Sequence, residues 1–293
     1  MEDKIISYGG QAVIEGVMMR GKNAFAVAMR APDGKIVVHR EGLAKVYRSW
    51  FTKVPFLRGM ILLWDALGLG MKALTLSANT QTGEDEKLEG PALYLTLAIS
   101  LALGIGLFFL LPAGVGGLAE HYLGWNTLAH NLLEGVVRLA LLIGYIWAIG
   151  LMPDVKRLYG YHGAEHKTIN AFEAGAELTP EVVAKYPLEH PRCGTAFMLT
   201  LMLLSVVIFS ALGDLTILWR LASRVLLIPV IAGIAVEYIR WTANHLDSPL
   251  VRFLIKPNLA LQSLTTREPD TSMLEVAIES FKTMRQAEQE FTV

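Results

Sequence analysis

Four long apolar segments constrain the fold of this 293-residue chain more than any other feature. They cover about residues 92–112, 132–152, 195–212 and 222–241, and each is close to the roughly 20 residues that a helix needs to cross a hydrocarbon layer. A buried helix of a soluble bundle normally keeps a polar face, which the first and third segments lack. With 53% apolar and 18% charged residues, the chain is predicted to be a mainly α membrane protein with four transmembrane helices.

The distribution of Lys and Arg predicts the orientation of these helices. The loop 113–131 contains neither residue, whereas the loop 153–194 contains Lys156, Arg157, Lys167, Lys185 and Arg192. Further basic residues follow the last segment, although Arg220 and Arg224 on the opposite side run against the trend. The positive-inside rule therefore predicts that both termini and the loop 153–194 are cytoplasmic.

The regions outside the spans have their own signatures. Residues 1–54 are predicted to be a β-rich cytoplasmic unit, because β-favouring runs flank Pro32-Asp33-Gly34. Residues 55–90 are predicted to be an interfacial helix (55–76) and a linker (77–90), since Arg58, Asp65 and Lys72 share one helical face. The transmembrane domain is assigned to 91–242. The cytoplasmic segment 243–293 carries an amphipathic helix over about 272–290.

Composition and the cysteine count also exclude several classes of partner and of covalent cross-link. A net charge of −1 and the absence of a basic arm exclude a nucleic-acid partner. Cys193 is the only cysteine, so no intramolecular disulfide can form. The N-terminus lacks a basic region followed by an apolar stretch, so we expect no cleavable signal peptide. The expected partners are membrane lipids, and the residues identify no substrate.

The segment Tyr161–Lys167 contains the residues that most strongly suggest chemistry. On a helix, His162 and His166 lie one turn apart on the same face and can bind one divalent metal ion, with Glu165 as a general base. This is the His-x-x-Glu-His order of inverzincins. Further ligands would come from His190, then Cys193, then Glu173, and zinc is the first choice for imidazole and thiolate donors.

Structural interpretations compete with each of these assignments. The two histidines would serve as hydrogen-bonding residues at a polar interface, Glu165 and Lys167 as solvated helix charges, and Cys193 as a small apolar residue. Glu134 and Arg138 are predicted to pair as i,i+4 neighbours. The small-residue spacings Ala98/Ala102/Gly106 and Gly144/Ala148 allow close helix contact within the chain or between the subunits of a homo-oligomer, and the sequence favours neither.

Several motifs together resemble the YqhQ-like family of bacterial membrane proteins. They are the segments 9–21, 55–59, 161–167, 190–195 and 256–258 with the following Gln262. The resemblance covers nearly the whole chain and implies a multi-pass protein of the bacterial inner membrane. Members of this family have no established function and are often described as metal-dependent enzymes, a description that depends on the same His and Glu residues.

Two functions follow as hypotheses. The first is a cytoplasm-facing divalent-metal site, held by His162, His166, His190 and Cys193, in a metal-dependent hydrolase with Glu165 as the catalytic base. The alternative is a non-enzymatic membrane scaffold, channel or transporter accessory whose polar cluster is structural. The first and third spans offer almost no polar side chain to line a path, which counts against a channel formed by one subunit.

Overall fold

The protein is described by a computed structural model that covers residues 8–44, 54–82 and 90–291. Within these ranges it is mainly helical, with a four-stranded antiparallel sheet near the N-terminus in the order β1-β2-β3-β4. The strands are β1 (Gly9–Val13), β2 (Gly16–Arg20), β3 (Ala24–Arg30) and β4 (Ile36–Gly42). The hairpin predicted around Pro32-Asp33-Gly34 is confirmed: Arg30 pairs with Ile36, and Gly34 adopts a φ of 84° in the turn.

The helices follow in chain order. They are α1 (Leu57–Gln81), α2 (Gly90–Ile105), a π-helical turn (Gly106–Leu110), α3 (Leu111–Leu123), α4 (Thr127–Ile149), α5 (Pro153–Glu173), α6 (Pro180–Val183), α7 (Gly194–Ala211), α8 (Ile217–Leu226), α9 (Ile228–Ala243), α10 (Pro249–Thr265) and α11 (Thr271–Glu290). The C-terminal amphipathic helix predicted over about 272–290 corresponds to α11.

Among the described residues, three helices are long and apolar enough to cross a membrane. They are Tyr94–Leu123, Thr127–Ile149 and Gly194–Ala211. A fourth candidate is the pair α8 and α9, which is bent by 45° at its break. The four predicted segments therefore correspond to three helices and one bent pair.

Two of the predicted loops are largely helical. The prediction of a loop over 113–131 is wrong, because the first span continues through the π-helical turn to Leu123. Pro112 does not end it, although its missing N–H removes one hydrogen bond from the continuous helix. The Phe108 carbonyl, four residues earlier, instead accepts a hydrogen bond from Arg138 Nε at 2.8 Å. The predicted loop 153–194 begins with the 21-residue α5, and the predicted linker 77–90 begins with the last turn of α1. Residues 83–89 of that linker lie outside the described residues.

The sheet is covered by helices on both faces. On one face Val17, Ala26 and Ala28 pack with residues of α5 and α11, including Tyr161 and Phe281. On the other face the alternating side chains of the same strands form a second core with α1. Burial on both faces explains why β3 is apolar at almost every position instead of alternating.

Helix α1 connects the sheet to the apolar helices. Of the three residues predicted to form its polar stripe, Arg58 forms an ion pair with Glu237 of α9, and Lys72 Nζ lies 2.5 Å from Glu41 of β4. The side chain of Asp65 lies outside the described residues. The polar face of α1 is therefore used at both ends for contacts within the chain.

Candidate metal centre

Helix α5 places the two histidines of the predicted motif side by side. The ring centroids of His162 and His166 are 4.4 Å apart. Tyr161 and Ala164, on other faces of the helix, and Ile169, two turns after His162, are buried in the core with the sheet and α11. This packing sets the rotation of α5, and it directs both imidazoles towards the segment 188–193 and the end of α10.

Both imidazoles are oriented by main-chain carbonyl groups. His162 Nδ1 lies 2.8 Å from the carbonyl oxygen of Thr265, and His166 Nδ1 lies 2.5 Å from that of Leu188. Because a carbonyl oxygen can only accept, each Nδ1 carries the proton and each Nε2 has a free lone pair. His166 Nε2 is buried and has no hydrogen-bond partner in the described part of the chain. A hydrogen-bonded Nδ1 with a free Nε2 is the usual state of a metal-ligating histidine.

Cys193 completes a group of three potential ligands. Its Sγ lies 3.2 Å from His162 Nε2, and the ligand atoms of His162, His166 and Cys193 all lie within 4.8 Å of one another. The cysteine is 8% exposed and directly precedes α7, at the helix end where the backbone dipole favours negative charge.

His190 lies beside this group of three. Its ring centroid is 5.8 Å from that of His166, its Nδ1 accepts the Arg192 main-chain N–H at 3.4 Å, and its Nε2 lies 3.8 Å from a Glu173 oxygen. Burial lowers the pKa of His190, an effect that Glu173 partly offsets. Glu173, the remaining candidate ligand, forms an ion pair with Arg192. His190 and Glu173 thus contact each other at the edge of the cluster.

The main chain of His190 is held by a buried glutamine. Gln262 Oε1 accepts the His190 N–H at 2.7 Å, and Gln262 Nε2 donates to the His190 carbonyl at 3.0 Å. Both ends of one amide side chain therefore position the segment that leads to Cys193. Sequence reasoning identified Gln262 only as part of a family motif. The carbonyl groups of Leu188 and Thr265 left no signal in the sequence, because any residue supplies a carbonyl.

Glu165 faces the sheet. Its carboxylate accepts a hydrogen bond from the Gly10 N–H of β1, and its Oε2 is buried without a partner among the described residues. Burial raises the pKa of Glu165 to about 7. A Cβ atom at position 10 would lie 2.6 Å from the Met18 carbonyl oxygen and 2.8 Å from the Glu165 Cδ, so glycine permits the close approach of both groups.

The interpretation of Glu165 and Lys167 as solvated helix charges is wrong. They are only 5% and 4% exposed. Lys167 Nζ donates to the carbonyl groups of Ala184 and Tyr186 at 2.7 and 2.8 Å and lies 2.7 Å from Glu268. The chain after α6 and the chain after α10 cover Lys167 and give its ammonium group fixed acceptors. The sheet covers Glu165.

The donor set suits a divalent ion of borderline softness. Two imidazole nitrogens and one sulfur are typical zinc ligands, and catalytic zinc sites often use three protein ligands and leave one position open. The unpartnered, buried Nε2 of His166 supports this fit, since a buried polar atom without a partner costs free energy that a bound ion would recover.

Comparisons with known proteins agree with the resemblance seen in the motifs. A family model described as a protein of unknown function (DUF1385) matches residues 54–287. The chain is 36% identical to the uncharacterized protein YqhQ of Bacillus subtilis (strain 168) over 299 residues, which cover 96% of this chain and 93% of that protein. No solved structure matches. The chain therefore belongs to the DUF1385 family, which includes the YqhQ-like proteins.

Proposed function

We propose that this protein is an integral membrane protein that binds one divalent metal ion, zinc by ligand chemistry, at the cytoplasmic end of its transmembrane helices. The observation that carries the proposal is the shared arrangement of His162 and His166. Each Nδ1 donates to a main-chain carbonyl, and each Nε2 lone pair is thereby left available beside the Cys193 sulfur.

The membrane location is supported by the surface of the candidate spans. Leu95, Leu103, Val136, Trp147 and Val207 are each more than half exposed on helices that carry almost no charge. Soluble proteins rarely expose continuous apolar surface of this kind, whereas lipid acyl chains would cover it. The loop charges support placing α5, α6 and both termini on the cytoplasmic side.

Hydrolysis is the chemistry that this site supports best. A divalent ion held by these residues supplies Lewis-acid catalysis. Three protein ligands leave room for a substrate group, and Glu165 is a buried carboxyl group whose raised pKa of about 7 suits proton transfer near neutral pH. Under this proposal His162, His166 and Cys193 hold the ion, and His190 and Arg192 line its edge. Glu165, whose carboxylate interacts electrostatically with His162, is the general base.

A structural role is the second candidate, and a specific observation favours it. The same cluster joins three elements, because α5 is hydrogen-bonded through His162 to the end of α10 and contacts the start of α7 through Cys193. An ion bound there would hold these elements together without catalysing a reaction. A scaffold or transporter accessory would need only this structural contribution from the ion.

Metal analysis of purified, tag-free protein tests the proposal. We expect close to one divalent ion per chain in the wild type and a loss of most of it in His162→Ala, His166→Ala and Cys193→Ser. His245→Ala is the matched control, since its ring is exposed and, within the described part of the chain, is hydrogen-bonded to the Trp241 carbonyl and to none of the proposed ligands. Metal-free wild-type protein, or unchanged metal content in all three ligand variants, would refute the metal site in both roles. The hydrogen bonds of the cluster alone would then join the three elements.

A further inference from the structure

Helix α10 has three surfaces of different chemistry, and one of them is packed inside the protein. This buried face lies against α7 and α4. Asn258 Nδ2 donates to Thr200 Oγ1 of α7 at 3.4 Å, which fixes the rotation of the helix. The buried positions recur every three or four residues and are Val251, Ile255, Asn258, Leu261 and Gln262.

The first half of α10 presents two edges, one on each side of the buried face. At about 100° of rotation per residue, Arg252 and Lys256 lie roughly 120° to one side of that face. Leu250, Phe253 and Leu254 lie on the other side, and they are 63%, 66% and 37% exposed. A helix with one basic and one apolar edge is typical of helices that lie in the plane of a membrane interface.

The basic edge is not neutralised within the described part of the chain. Arg252 Nε donates to the Leu246 carbonyl at 2.8 Å, and no described residue bonds its two terminal nitrogens. Lys256 Nζ lies 5.9 Å from the centroid of the Phe253 ring and forms no ion pair with the described residues. The helix Pro249–Thr265 contains no acidic residue. Two exposed positive charges, one turn apart, therefore remain for a negatively charged partner.

The contacts of Leu261 show which way the apolar edge faces. On the helical wheel this residue lies between the buried face and the apolar edge. It packs with four residues that lie within about two turns of the ends of α4 and α7 nearest α5, namely Leu142, Ile146, Leu199 and Met202. The apolar edge of α10 is therefore turned towards the candidate spans, and the basic edge is turned away from them.

Aromatic side chains mark the same level of the molecule. Trp147 near the end of α4 is 61% exposed, and Trp241 near the end of α9 is 46% exposed. Helix α10 begins at Pro249, shortly after α9 ends at Ala243. Tryptophan is enriched where a membrane meets water. The exposed edge of α10 is thus continuous with the lipid-facing surface proposed for the spans.

We propose that α10 lies along the cytoplasmic surface of the membrane with its apolar edge among the acyl chains, and that Arg252 and Lys256 bind the phosphate groups of anionic lipids. Guanidinium and ammonium groups form charge-assisted hydrogen bonds with phosphate oxygens, and the cytoplasmic leaflet carries anionic lipids. The inference rests on the proposed membrane location and is independent of the metal ion. Because α10 ends beside His162, it holds the candidate metal centre next to the membrane surface.

Spin-label accessibility of the full chain in nanodiscs tests the position of α10. Phe253→Cys, Leu254→Cys and Ser263→Cys are made singly in a Cys193→Ser background, and each cysteine carries a nitroxide. Labels at 253 and 254 should collide with oxygen, which concentrates among acyl chains, and the label at 263 with a water-soluble nickel chelate. Contact of the chelate with 253 and 254 overturns the proposal. So does loss of access to both reagents there, because a second copy would then cover the apolar edge.

A label on a candidate span separates this proposal from the membrane location. In Val207→Cys, on the exposed surface of α7, the label should collide with oxygen. Oxygen contact at 207 together with chelate contact at 253 refutes only the placement of α10. Chelate contact at both positions refutes the membrane location itself.

Lipid retention on detergent-purified protein tests the headgroup class. The full chain is incubated with an equimolar mixture of phosphatidylglycerol and phosphatidylcholine, and the bound lipids are identified by mass spectrometry. The wild type should prefer phosphatidylglycerol, and Arg252→Gln/Lys256→Gln should reduce this preference about tenfold. Lys35→Gln/Lys282→Gln is the matched control, since it removes the same charge from exposed positions of the β3–β4 turn and α11. No preference in the wild type, or an equal preference in the double variant of α10, contradicts the assignment of anionic lipids.

Discussion

The Nδ1 hydrogen bonds of His162 and His166 decide what the two rings can do. Carbonyl groups of Thr265 and Leu188 hold the protons on Nδ1, so both Nε2 atoms can act as ligands without a change of tautomer. Glu165, one residue before His166, accepts a hydrogen bond from the Gly10 N–H of β1 and interacts electrostatically with His162, but it is not one of the three grouped ligands. Adjacent residues on one helix thus have different partners and different roles.

This separation of roles predicts the behaviour of Glu165→Gln. The amide oxygen can still accept the Gly10 N–H, and the change does not alter the ligand atoms of His162, His166 and Cys193. We therefore expect the variant to retain its metal and its unfolding temperature, while a hydrolytic activity would fall by about 10² to 10⁴. Loss of metal from a folded variant would instead identify Glu165 as a ligand.

The close contact between Gly10 and Glu165 predicts a difference between neighbouring glycines. In Gly10→Ala the new methyl group would lie 2.6 Å from the Met18 carbonyl oxygen and 2.8 Å from the Glu165 Cδ, which should destabilise the fold by about 1–3 kcal/mol. Gly9→Ala is the matched control, because a Cβ there meets nothing within 4 Å in the described structure. Thermal unfolding of both variants measures the difference. Equal unfolding temperatures would contradict the close packing described around Gly10.

At the scale of elements, helix contacts depend on a few small or polar residues. Helix α1 crosses α9 where Gly59 faces Gly233, and a Cβ at position 59 would lie 2.6 Å from the Gly233 Cα. The ion pair between Arg58 and Glu237 flanks this crossing. Backbone approach of this kind requires glycine, and it positions α1 between the sheet and the apolar helices.

The crossing predicts opposite effects for two glycines of α1. Gly59→Ala should separate α1 from α9 and lower stability by about 1–3 kcal/mol. Gly68→Ala, whose Cβ meets nothing within 4 Å among the described residues, should be neutral or raise stability by up to about 1 kcal/mol through helix propensity. Unfolding temperatures measured in the same detergent compare the two. A larger loss in Gly68→Ala would refute the described crossing.

The amide of Gln262 links α10 to the segment that carries Cys193. In Gln262→Leu the His190 N–H and carbonyl would lose their partners, and we expect the metal affinity to fall about 10–100-fold, as for other groups that orient ligands. Ser263→Ala, on the exposed side of the same helix, is the control. Competition with a chelator measures the affinity, and an unchanged affinity would show that the segment is held by other contacts.

At the scale of the whole molecule, the arrangement of helices makes the topology testable. Trp125 lies in the short turn between α3 and α4, and Glu177 lies on the exposed segment between α5 and α6. Cysteines placed singly at these positions in a Cys193→Ser background should react with a membrane-impermeant reagent from opposite sides of the membrane. Labelling of both from the same side would end the model in which both termini are cytoplasmic.

The sequence by itself determined the elements whose patterns are local. Uninterrupted apolar runs specified the candidate spans, β-favouring runs around Pro32-Asp33-Gly34 specified a hairpin, and the spacing of His162 and His166 placed them on one helical face. These patterns suffice because a helix turn or a β-turn involves residues that are close in the chain.

Only the tertiary structure decided which distant residues meet. It brought Cys193 to His162, turned Glu165 towards Gly10, and joined Glu134 to Arg224 across 90 positions. It also showed that the Glu134–Arg138 pair, predicted from its i,i+4 spacing, belongs to a larger buried network. Such contacts depend on how helices rotate and cross, which is set by packing over the whole chain and leaves no periodic trace in a single sequence.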